Sequence, residues 1–170
     1  MGPTHKVLLA LATASVVMLP NRAAAQSEPT PEAAVTAFMK AVSDSNLSRM
    51  AELWGTSSGS AAATRKPNDF QKRIYIMYAY LKGGTSKISA TEPNPGHDDK
   101  RFIILDFHRG DCNKLVPMST VKSKKQGWLV ESFDLNDVGV PGRSCSGGQG
   151  GGDTSAVKTV VDTIKNAAPK

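Results

Sequence analysis

Residues 101–135 read RFIILDFHRGDCNKLVPMSTVKSKKQGWLVESFDL, and this stretch decides the fold. Positions 102–107 are apolar at five of six places, rich in β-branched and aromatic residues, and too short a run between Gly96 and Gly110 for a helix. His108-Arg109-Gly110-Asp111 supplies a tight reversal, with Gly110 free to take positive φ. A return strand is expected over 115–121, provided that Pro117 sits where its missing N–H faces away from a partner, or at a bulge. Ser123-Lys124-Lys125-Gln126-Gly127 makes a second turn, and 128–133 a third strand. The near-continuous apolar run of the first strand implies cover, at least in part, on both of its faces.

Upstream, the chain reads as helices. Thr30-Pro31-Glu32 places a capping hydroxyl, a proline at the first helical position and an acid in the first turn. Val35, Phe38, Met39 and Val42 then form one apolar stripe on a helix ending near Ser43. Asp44-Ser45-Asn46 breaks it and caps a second, shorter helix with Leu47, Met50, Ala51 and Trp54 at the same spacing. Positions 55–66 are small and polar without periodicity, which reads as a mobile loop. A third helix begins at Pro67-Asn68-Asp69, with Asn68 as its expected cap. Phe70, Ile74, Met77 and Leu81 form its main stripe, and Tyr75, Ile76, Tyr78 and Tyr80 thicken it enough to imply burial on more than one side. Gly83-Gly84 stops it. A weakly alternating strand around Ile88 is expected over 85–92, then a turn at Pro93-Asn94-Pro95-Gly96 and a charged loop. Three helices followed by four strands give an α+β domain, with the helices segregated to one face of an antiparallel sheet.

The ends of the chain read differently. His5 and Lys6, an apolar run over 7–19 and Ala23-Ala24-Ala25 have the layout of a secretory signal peptide spanning 1–25. The apolar run is shorter than the roughly 20 residues a membrane-spanning helix needs. Residues 26–141 then form the folded domain, 142–153 a Gly-rich linker, and 154–170 a short amphipathic helix carrying Val157, Val160, Val161 and Ile164. After Leu135 the chain is expected to be irregular up to the linker. The full chain has 21 basic and 15 acidic residues, a net of +6; loss of Lys6 and Arg22 with the leader reduces this to +4. So modest a surplus favours anionic surfaces without marking a nucleic-acid binder. Export makes a Cys112–Cys145 disulfide the first reading of the two cysteines, worth roughly 3 to 4 kcal/mol on the chain-entropy estimate.

The pattern Pro31-Glu32-x-x-Val35-x-x-Phe38, then Leu53-Trp54, a long third helix, and Gly127-Trp128-x-Val130-x-x-Phe133 resembles the nuclear-transport-factor-2-like (cystatin-like) superfamily. It looks closest to small exported bacterial members that carry a domain of unknown function, and the resemblance covers about residues 30–135. It implies a cone-shaped α+β fold whose curved sheet and first and third helices enclose a pocket. Phe38, Trp54, Tyr78, Ile104 and Trp128 are the expected lining of that pocket.

Three functions follow. The first is a non-catalytic envelope domain that binds a small apolar ligand or a protein partner, with the open sheet face available for a homodimer. The second is a small isomerase- or dehydratase-type enzyme. Strand alternation puts Phe102, Ile104, Asp106 and His108 on one face. An Asp106 carboxylate among aromatics would have a raised pKa and could serve as a base, with Tyr75 or Tyr78 donating to an oxyanion and His108 a weaker candidate base. The third is an anionic-surface binder through Lys122, Lys124 and Lys125 at the hairpin tip. His97-Asp98-Asp99 offers metal-binding side chains but reads as a solvated loop. No cofactor or metal motif is present in the sequence.

Overall fold

The computed structural model describes residues 27–143. The expected leader at 1–25, Cys145, residues 144–153 of the expected linker and the helix expected at 154–170 lie outside the described residues. Helix α1 spans Pro31–Ser43, and the Thr30 hydroxyl accepts from the Ala33 N–H at 3.1 Å, as the capping signal requires. Its stripe of Val35, Phe38 and Val42 is buried, together with Ala34 and Ala41. Helix α2, Leu47–Leu53, is capped by Asn46, whose side chain accepts from Arg49 N–H at 2.9 Å. Met50, Ala51 and Leu53 of α2 are buried, but Leu47, at the head of its expected stripe, is 37% exposed.

Positions 55–66 are not a structureless loop. Strands β1 (Gly55–Thr56) and β2 (Gly59–Ser60) pair as a small hairpin, and α3 (Ala61–Thr64) follows as one turn capped by Ser60. The ordering comes from far along the chain. The Gln126 amide accepts from Ser60 N–H at 2.6 Å and donates to Ser60 Oγ at 3.1 Å. Helix α4 spans Phe70–Leu81 and begins at Asp69, one residue later than the expected cap Asn68; the Phe70 N–H is taken by the Pro67 carbonyl. Ile74, Met77 and Leu81 are buried, whereas Tyr75 is 61% exposed, so the helix buries a narrower face than its tyrosines implied.

Strands β3 (Thr85–Pro93), β4 (Lys100–Arg109), β5 (Cys112–Ser123) and β6 (Gly127–Phe133) form one antiparallel sheet in the order β3-β4-β5-β6. The β4–β5 turn is tighter than the sequence suggested: Arg109 and Cys112 pair, leaving Gly110-Asp111 as the two-residue connection. Pro117 is paired with Ile104 of β4 but lies beyond the last β6 pair, Met118↔Phe133, so it has no β6 partner to satisfy. Each edge strand carries a register shift. Ser89 is the extra residue in β3, and Glu131 the extra residue in β6. The shift in β6 lets Val130 and Phe133, three positions apart, both face the helices, where Phe133 meets Phe38 edge-on at 6.5 Å. Gly127 closes the last hairpin at φ +70, and a Cβ there would lie 2.4 Å from the Glu28 carbonyl, so no other residue fits.

The core lies between the helices and one sheet face. Ile103, Leu105 and Phe107 of β4 pack against Val35, Phe38, Met50, Ile74 and Leu81. After β6 the chain makes another short helix, α5 (Leu135–Val138), instead of becoming irregular. Asp134 caps it, and Val138 is buried in the core. Among the described residues, no helix is long and apolar enough to cross a membrane.

Candidate functional site

A cleft with a volume of about 780 Å³ opens between α2, α3 and α4. Leu47, Ala51, Phe70 and Ile74 form an apolar floor; Ser48, Glu52, Arg65, Asn68 and Gln71 line it with polar groups. That combination and size suit a small ligand with an apolar body and one or two polar anchors. The acids near it are committed. Glu52 is paired with Arg49 at 3.1 Å, and Asp69 accepts from Arg73 at 3.0 Å, a bond that holds its carboxyl below the ordinary value. Arg65 forms no ion pair among the described residues. It caps α3 in the left-handed region at φ 54, a conformation that disfavours a residue with a Cβ.

Arg65 sits at a junction. Thr64 bonds the Ser60 carbonyl at 2.8 Å, and Ser60 is gripped by Gln126, the residue after Lys124 and Lys125. The β5–β6 hairpin tip, with exposed Lys122, Lys124 and Lys125, is thereby fastened to the segment carrying Arg65 and Lys66. The chain matches no protein-family model, no curated protein and no solved structure.

The residues singled out from sequence are distributed over the molecule. Asp106 lies on the outer sheet face, opposite to the core-facing Leu105 and Phe107, between Lys87 of β3 and Leu115 of β5. Its Oδ1 is 3.1 Å from His108 Nε2, and both side chains are substantially exposed. Tyr78 packs on the helix side, its hydroxyl 2.9 Å from Ser45 Oγ. With Tyr75 exposed on α4, neither tyrosine shares a face with Asp106. Of the expected pocket lining, Phe38 is buried in the core and Trp128 is buried on β6. The Trp54 indole donates to the Glu131 carbonyl at 2.9 Å, and Ile104 faces the opposite side of the sheet from Phe38. None of the five lines the α2–α4 cleft. Among the described residues, no three His, Cys, Asp or Glu side chains converge to hold a metal, His97, Asp98 and Asp99 included.

Cys112 is buried, and its Sγ lies 3.9 Å from the Arg143 carbonyl. Two other carboxyls depart from their ordinary values. The Thr91 hydroxyl lowers Glu32 by donating to it at 2.7 Å, joining α1 to β3. Burial, helped by Asp134 and opposed by Lys114, raises Asp137. Arg65 and the cleft carry little signal in the sequence, because Leu47, Phe70 and Ile74 look like ordinary stripe positions. The only local sign was Arg65-Lys66 ending a run of small residues.

Proposed function

We propose that this chain is an exported, non-catalytic binding module that takes a small apolar ligand in the cleft between α2, α3 and α4. The observation that carries the reading is the cleft's composition, an apolar floor of Leu47, Ala51, Phe70 and Ile74 under a polar rim. Helices followed by an antiparallel sheet support a nuclear-transport-factor-2-like assignment, with the ligand site outside the interior, which Phe38 and its neighbours fill. The leader-like segment at 1–25 supports a place in the periplasm or outside the cell. A Cys112–Cys145 bridge belongs to the same reading. Arg143, two residues before Cys145, already touches Cys112, and no described cysteine is free.

The test is an amide chemical-shift titration of the full chain with decyl maltoside below its micellar concentration. Shifts should concentrate at Leu47, Ala51, Phe70 and Ile74. Ser48→Trp, at an exposed position lining the cleft, should fill it and abolish them. Shifts confined to the outer sheet face around Leu115 would move the site there. The homodimer reading would then take precedence.

A further inference from the structure

The ligand's chemistry can be specified further, given the cleft reading. We infer that the cleft receives an amphiphile with an oxyanion head, carboxylate or phosphate, seated on Arg65, its hydrocarbon chain lying over Leu47, Ala51, Phe70 and Ile74. Three observations lead there. Arg65 lines the cleft and, among the described residues, has no carboxylate partner. The nearby acids are occupied elsewhere, Glu52 by Arg49 and Asp69 by Arg73, so the guanidinium can meet an incoming anion without first giving up an internal ion pair. The third observation is the long-range clamp of Gln126 on Ser60. It ties the hairpin tip that carries Lys122, Lys124 and Lys125 to the segment that leads into Arg65 and Lys66, through two residues 66 positions apart along the chain.

The division of labour follows from the chemistry of each group. A guanidinium presents paired donors to two oxygens of a carboxylate or phosphate, which gives geometry as well as attraction. The flanking lysines are flexible point charges. They raise the local concentration of anions and speed encounter, and that contribution is screened by salt. A cationic head would meet repulsion at this corner, and a neutral head would leave Arg65 unpaired.

The experiment compares four probes of like chain length on the full chain at low salt, by calorimetry below the micellar concentration: laurate, dodecyl phosphate, dodecyl maltoside and dodecyltrimethylammonium. Laurate or dodecyl phosphate should bind about ten-fold more tightly than the maltoside, a charge-assisted contact's worth, and the tighter of the two identifies the head. The ammonium probe should bind weakest. In Arg65→Gln the preference for the anionic head should collapse toward unity. Arg65→Lys should keep part of it, a graded result that a merely structural role for Arg65 would not give.

No preference in the wild-type protein, or an undiminished preference in Arg65→Gln, would overturn the inference. Ser48→Trp separates the two levels of the argument. If it abolishes binding of all probes while head preference is absent, the cleft reading stands and the headgroup assignment fails. If it changes nothing, the cleft itself is wrong, and the headgroup assignment goes with it.

Discussion

Neighbouring residues of β4 live in different worlds. Ile103, Leu105 and Phe107 point into the helix layer and are fully enclosed, as Phe38 is on the other side of that contact. On the outer face Ile104 is still buried, but Asp106 and His108, two and four places further on, reach water and each other. The lesson concerns what an apolar run can report. Five apolar residues in six marked a strand with cover on both sides, yet outer-face cover stops short of the β4–β5 turn. Polar residues begin where it ends.

The sharpest way to break this comparison uses two isomeric side chains adjacent in sequence. Leu105→Ala is expected to destabilise by about 4 kcal/mol and Ile104→Ala by about 2 kcal/mol, the upper and lower parts of the range for buried aliphatic truncation. Urea unfolding of both variants checks this, and equal losses would mean the two faces are equally packed. Further along the outer face, Asp106→Asn should cost less than about 0.5 kcal/mol, because an exposed pair with His108 is solvated on its own. A loss of several kcal/mol would show that this end of the face is covered after all.

The smallest effect lies in α5, where partial burial raises the Asp137 carboxyl. Its folded pKa is above its unfolded one, so the native state holds a proton that the unfolded chain has already released. Stability therefore falls as pH rises through that interval and stays lower above it. Asp137→Asn should gain a few tenths of a kcal/mol at neutral pH, after allowance for solvent screening, and nothing at pH low enough to protonate both states. Melting curves across that pH range decide it. A gain that persists at low pH would point to packing instead of charge.

Much of the architecture was legible because its signals are local. Thr30-Pro31-Glu32 and Asn46 announce their helices, the stripes of α1 and α4 announce their buried faces, and the sheet follows from alternation and turn residues. What escaped reading is held by distant partners. The small hairpin and α3 occupy a stretch with no periodicity, and it is Gln126 that orders them. The expected pocket lining failed to converge for a related reason. Alternation assigns Ile104 to a face but does not say which face the helices will choose. The cleft was hidden because an apolar residue at a stripe position, such as Leu47, looks the same whether it meets the core or a groove.

The extra residue Glu131 has a consequence for how this chain can vary. Its carbonyl receives the Trp54 indole, and its carboxylate receives Lys100 and Ser119. Removing it would leave Val130 and Phe133 two positions apart, so that regular alternation keeps both toward the helices. A single deletion there keeps the parity of β6 and removes the groups that Trp54, Lys100 and Ser119 bind, whereas a substitution removes only the carboxylate's contacts. Related chains can therefore carry β6 either bulged or one residue shorter and regular between Trp128 and Phe133, the bulged form going with a carboxylate that holds Lys100.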